Sequence, residues 1–328
     1  MTVVLGVDGG GTGTHAVVAN DSGAVLGFGK SGVSNWEDVG IEAAAAALKA
    51  SVREALSDAD IGPGEIAATV IGLAGIDFPS DEAKMGGITE ALGIKTNFKV
   101  LNDSFVALRA GTNYSWGIVV IAGTGSVVAG RNPAGETFRT LGLGPMFSDF
   151  GSSSDVSGEA ITAVAAQMTG QGPRTTLTER MCEVTGTSSP LELIESVARG
   201  QLADTLFTTT VVEAAEGGDL VARHILEHAG SMLGDAAGRI ARRLRMDESE
   251  FELVLTGAMF RYDSRIMTTA LEATVKRFAR FAMPARLEAP PVVGAILLAL
   301  ELASIPTDPD LHSAFALASN EAMRRREN

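Results

Sequence analysis

Asp8-Gly9-Gly10-Gly11-Thr12-Gly13-Thr14 closes an apolar run, Val3 to Val7, with four glycines in five residues. Glycines let backbone N–H groups approach an oxyanion with no Cβ in the way, and Thr12 and Thr14 add hydroxyl donors. Asp8 ends a buried strand, where a carboxylate is costly without a partner. Next to a phosphate the natural partner is Mg²⁺, reached through water. A plain hairpin turn needs no such concentration of glycine. The segment therefore reads as a phosphate site built on Gly10, Gly11 and Thr12, with Asp8 toward the metal. A second turn, Gly123-Thr124-Gly125-Ser126, follows the apolar run Trp116 to Ala122. Neither turn carries the Gly-Lys-Ser/Thr ending of a P-loop, so charge neutralisation falls to amides, hydroxyls and the metal. A third turn, Thr256-Gly257-Ala258, is either a strand-to-helix connection or a backbone wall against a nucleotide's base and ribose.

Asn102 and Asp103 follow the strand Phe98 to Leu101 and open a helix. Both are good N-caps. Asp103, held ionised by the helix dipole, also suits the base that phosphoryl transfer to a hydroxyl requires. Both roles stand at this point.

These residues need a frame. Strand patterns at 3–7, 16–19 and 24–28 precede a helix at 38–58, a strand at 67–73, a helix at 81–92, a strand at 98–101 and a helix at 103–110. From residue 116 the order β-β-β-α-β-α-β-α starts again, with a helical insertion at about 155–245. A Rossmann domain would alternate strand and helix from the start. The pattern is an internal architectural repeat, expected as domains 1–115 and 116–328, with the last helix packing back on the first. Two glycine turns at matching points of the repeat suit one polyphosphate held from both sides.

Composition narrows the class. The 328 residues carry 26 Lys and Arg against 40 Asp and Glu, a net charge of −14. That balance opposes a nucleic-acid or anionic-membrane partner. The single cysteine, Cys182, excludes an intrachain disulfide and a Cys-rich zinc or iron–sulfur site from this chain alone, and fits a reducing cytoplasm. The longest apolar stretch, Pro290 to Leu300, is about half a membrane span. His15, His224, His228 and His312 are dispersed; His224 and His228, at i and i+4, could pair on a metal, but no acidic motif supports a zinc site and they read as surface residues, and Arg324-Arg325-Arg326 as a solvated tail.

Taken together, residues 8–14, 101–111, 119–130, 253–260 and 290–301 resemble, in order, the five motifs of the sugar kinase, heat-shock and actin superfamily. Within it the chain resembles the N-acetylglucosamine kinase and BadF/BadG/BcrA/BcrD ATPase family. The resemblance implies two ribonuclease-H-like (actin-like ATPase) α/β domains, ATP as co-substrate with Mg²⁺, a sugar acceptor and a homodimer. It assigns Asp103 as general base and substrate contacts to Asn35, Asp103, Gly144 and Asp149. ATP contacts fall to Gly10, Gly11, Thr12, Gly123, Thr124, Gly125, Ser126, Ala214, Gly257 and Ala258, and the metal to Asp8. The family's Glu and Trp in the 142–152 segment are Phe150 and Leu143 here. Phe150 removes a carboxylate that could pair with a free amine, which ranks N-acetylglucosamine above glucosamine.

Overall fold

A computed structural model of the chain describes every residue except 91, 95, 96, 204 and 328, and gives 86–90 and 327 as backbone only. The helix expected to 92 and the insertion expected over 155–245 thus each include a residue, 91 and 204, outside the described ones. The chain opens β1 (Val3–Gly9), β2 (Thr14–Asn20), β3 (Val25–Ser31), α1 (Trp36–Val39), α2 (Ile41–Asp58), β4 (Ala68–Leu73), α3 (Pro79–Glu90), β5 (Phe98–Asn102) and α4 (Asp103–Gly111). It restarts with β6 (Gly117–Ala122), β7 (Ser126–Arg131) and β8 (Thr137–Arg139). The inserted helices α5 (Ser153–Met168), α6 (Leu177–Thr185), α7 (Pro190–Ala198), α8 (Thr208–Glu216) and α9 (Leu220–Arg243) follow. β9 (Phe251–Thr256), α10 (Ile266–Val275), β10 (Ala282–Arg286), α11 (Pro291–Leu302) and α12 (Pro309–Glu327) complete it.

The described strands form two five-stranded sheets, ordered β3-β2-β1-β4-β5 and β10-β9-β6-β7-β8. Read from the opposite edge the second order matches the first, with β6 in the place of β1, so the repeat seen in the sequence is a repeat of topology. In the first sheet β1–β2 and β2–β3 are antiparallel, and β1–β4 and β4–β5 parallel.

β1 is apolar throughout because both of its faces are covered. Leu5 and Val7 pack with Ala16 and Val18 against Leu48, Val52 and Ala55 of α2. Val4 packs with Val17, Phe28 and Val70 against Val292, Ile296 and Leu300 of α11 and Phe315 of α12. A Cβ on Gly6 would come within 2.6 Å of the Ile296 backbone nitrogen, so α11 can lie on β1 only where residue 6 is glycine. Buried Arg109 in α4 donates from Nε to Glu301 Oε1 of α11 at 2.7 Å, and from its other nitrogens to the Thr112 carbonyl and the Thr307 hydroxyl.

Two compact units result. One is Met1–Val119 with Ala129–Thr137 and Ala285–Asn328; the other is Val120–Val128 with Phe138–Pro284. The units differ from a single division at 115/116, because α11 and α12 bury their apolar residues on the first sheet. The arginines 324–326 are exposed, as read from the sequence, but they do not form a tail. They lie in α12, and Arg326 pairs with Glu54 at 2.7 Å and Asp58 at 3.2 Å on α2.

Candidate active site

In the first unit, β1 and β5 deliver Asp8 and Asp103. Asn102 takes the capping role: its Oδ1 accepts from the Ser104 N–H at 3.1 Å and from the Ser104 hydroxyl, and Asp103 occupies the first helical position of α4. The Asp8 carboxyl is pushed up to about 7, chiefly by burial and secondly by the negative charge of Asp103. The turn between β1 and β2 is closed by a Gly10 N–H to Gly13 carbonyl bond of 3.1 Å. A Cβ at Gly10 would meet nothing within 4 Å. Glycine there answers no local clash, and the open space leaves the backbone approachable. Gly11 and Thr12 are exposed. Thr14 is not available as a donor, because its buried hydroxyl donates to the Gly32 carbonyl at 2.7 Å.

Asn35 caps α1, accepting from the Glu37 N–H at 3.3 Å and donating to Asp38 at 2.8 Å. Trp36 is pinned through Nε1 to the Gly75 carbonyl at 2.7 Å, with the Lys84 ammonium 4.5 Å from its ring. Glu37 is raised by burial and then by Asp77, Asp81 and Asp38, against the pull of Lys84. Burial works against ionisation of Asp81, yet the Phe78 and Asp77 amides and the Lys84 ammonium outweigh it and hold that carboxyl below its ordinary value. Asp77 also accepts from Asn102 Nδ2 at 3.2 Å, which joins this acidic group to the α4 cap. Composition hid this cluster, although the Ala74-Gly75 turn after a buried strand repeats the strand–glycine signature seen at residues 8–13.

In the second unit the Gly123–Ser126 turn meets two other segments. The Ser153 and Ser154 amides, at the start of α5, donate to the Gly123 and Thr124 carbonyls at 2.8 and 3.4 Å. Gly257 has φ +106°, and a Cβ there would run into the Ala122 backbone, 2.5 Å from its carbonyl carbon. The Gly257–Ala258 turn therefore lies against the glycine turn. Thr124, Gly125 and Ala258 are exposed. Ser126 is buried, its hydroxyl donating to the Phe150 carbonyl at 3.0 Å. Buried Asp149 accepts from the Leu143 N–H at 3.0 Å, and its own N–H donates to the Gly144 carbonyl at 3.2 Å. Both groups hold the shape of the 142–150 loop. Ala214 is 1% exposed within α8, a packing position.

His224 and His228 are exposed, with His228 Nδ1 2.8 Å from Glu159 Oε1, whereas His15 stacks on Phe28 and His312 Nε2 lies 2.7 Å from the Ala110 carbonyl. Among the described residues no group of three or more His, Cys, Asp or Glu could hold a metal ion by itself, and no helix is long and apolar enough to cross a membrane. Two surface cavities of ≈530 and ≈680 Å³ border α2, and neither is lined by Asp8 or Asp103.

Two sheets of one strand order, each opening on a strand–glycine turn–strand unit, define the actin-like ATPase fold shared with sugar kinases. The profile of the BadF/BadG/BcrA/BcrD ATPase family matches residues 5–299, and the chain belongs to that family. It is 30% identical over 269 residues to N-acetyl-D-glucosamine kinase of Dictyostelium discoideum, covering 78% of this chain and 84% of the relative. It is 30% identical over 262 residues to the N-acetylmuramic acid/N-acetylglucosamine kinase of Clostridium acetobutylicum, covering 79% and 86%. A crystal structure from Chromobacterium violaceum, provisionally named an N-acetylglucosamine kinase, superposes with a TM-score of 0.66 at 22% identity, covering 91% of this chain and 99% of that one.

Proposed function

We propose that this chain is an ATP-dependent kinase that transfers the γ-phosphoryl group of ATP to a hydroxyl of an amino sugar, N-acetylglucosamine first, with Asp103 as general base. The observation that carries the proposal is the Asp8–Asp103 pair beside an open glycine turn. The activities named for the two relatives at 30% identity point the same way. Asp103 would take the proton from the sugar hydroxyl as its oxygen attacks phosphorus. The backbone of Gly10, Gly11 and Thr12 would hold phosphate oxygens, and Gly123 to Gly125 with Gly257 and Ala258 would serve the nucleotide.

Mg²⁺ fits the first of these residue sets. Burial and Asp103 both disfavour the Asp8 charge, and a divalent cation supplies the missing counter-charge. With one or two carboxylates in reach, the nucleotide's phosphates would complete its shell. When bound, Mg²⁺ would offset negative charge on the transferring phosphoryl group.

A specific observation favours a second acceptor. Glu37 feels the negative charges of Asp77, Asp81 and Asp38, next to Asn35 and Trp36, with Lys84 among them, and such a group suits an ammonium, as in glucosamine. Phe150 favours the acetylated sugar instead. A coupled ADP-release assay over a hexose panel tests the whole proposal. Sugar-dependent turnover is expected, with N-acetylglucosamine ahead in kcat/KM. A tenfold preference for glucosamine reverses the ranking, and binding of sugar without turnover refutes the kinase. A cytoplasmic homodimer belongs to the same proposal, and light scattering at the size of a monomer removes that part.

A further inference from the structure

The glycine turn has few ways to offset a phosphate chain. Residues 9–14 include no Lys, Arg or His. The Thr14 hydroxyl is spent on the Gly32 carbonyl, and Asp8 and Asp103 add only negative charge. After Thr14, the next side chain along β2 with an N–H or O–H that could donate to phosphate is His15. The β1–β2 ladder pairs His15 with Asp8, and the β2–β3 ladder pairs His15 with Lys30. Directly paired residues point to one face of a sheet, with Cβ atoms about 4.5–5.5 Å apart. Asp8, His15 and Lys30 therefore form a row on one face, starting at the mouth of the turn. The His15 ring is half-buried and stacked on Phe28, with centroids 5.8 Å apart and 29° between planes. Stacking fixes the ring plane.

We infer that His15 is a nucleotide-binding residue, its imidazole N–H donating to the phosphate chain of ATP or ADP seated on the 9–13 turn. The inference rests on the kinase proposal for the identity of the ligand. Its energetic basis is that a hydrogen bond to an ionised oxygen is roughly twice as strong as a neutral one.

The alternative is that His15 serves only the protein's own structure, through its stack on Phe28 and its other contacts. His15→Phe separates the two, since it keeps the stack on Phe28 and loses both nitrogens. Isothermal titration with MgADP as probe is expected to show about tenfold or weaker binding in H15F. His15→Lys should return affinity to within about threefold of the native chain, because it restores a phosphate donor. Sugar affinity should be unchanged in both. His15→Leu repeats the comparison, so that the result does not depend on one variant folding. MgADP affinity in H15F or H15L equal to that of the native chain overturns the assignment, as does failure of H15K to exceed them. A native chain that binds no MgADP refutes the kinase proposal itself, which is a different result.

Discussion

Replacing Asp8 by Asn should stabilise the chain while destroying its proposed activity. The Asp8 carboxyl is raised from 3.8 to about 7, by burial first and Asp103 second. Three pKa units at about 1.4 kcal/mol each set a ceiling of about 4 kcal/mol on the cost of ionising it in the folded chain. Water reaching a half-buried carboxylate lowers the expected value to about 2–3 kcal/mol. A raised acid binds its proton more tightly folded than unfolded, so between pH 4 and about 7 native stability falls as pH rises. Below that window the group is neutral in both states and the cost vanishes. Above it the cost is complete. Asp8→Asn keeps the shape of the protonated acid and never ionises. Its advantage over the native chain should be near zero at acid pH and largest at pH 8. In urea titrations without metal or nucleotide, the stability gap at alkaline pH should be about 2–3 kcal/mol. A variant less stable than the native chain at pH 8, or a gap that does not change with pH, would refute the electrostatic account of this site.

Asp103→Asn should lower kcat by about 10²–10⁴ while leaving MgADP and sugar affinities within several-fold, as measured by steady-state kinetics and titration calorimetry. Near-native turnover would dismiss Asp103 as the base. Glu301→Leu removes the counter-charge of buried Arg109 and should cost about 3 kcal/mol in urea titrations, with Arg109→Met added in the same chain recovering most of it. Gly257→Ala meets both a φ of +106° and the Ala122 backbone, and should cost at least about 2 kcal/mol. An effect under about 0.5 kcal/mol there would mean that the two turns separate readily.

The repeat was legible because it is written in local signals: apolar runs, glycine turns and turn residues at matching points. The face on which α11 packs was not. A helix apolar all round announces burial, and the reading of the last helix as packing back on the first domain did not say which sheet face it covers. The deciding residue is Gly6, a single glycine inside β1 that looks like a weak strand former until α11 lies on it. α12 was missed for a similar reason, since three arginines read as solvated when Glu54 and Asp58 are some 270 residues away in sequence. At the site, spacing identified which residues cluster but not which side chains are already engaged. Thr14, Ser126 and Asp149 all have the chemistry for a ligand, and each spends it on a backbone group of a nearby loop. The ambiguity between Asn102 and Asp103 was a question of which side chain reaches Ser104, and in the folded chain it is Asn102.

The return of residues 285–328 to the first unit orders events during synthesis. β1 leaves the ribosome first, and the helix that covers its Val4 face leaves nearly 290 residues later. At about 5–20 residues per second, Val4, Val17, Phe28 and Val70 wait roughly 10–60 s for their cover. The intervening segment 138–284 is complete before that and can condense in the meantime. A nascent chain stalled before residue 291 should therefore hold a bare apolar sheet face, a natural substrate for a ribosome-bound chaperone. The same chain released from the ribosome should aggregate through that face rather than accumulate as a folded first unit.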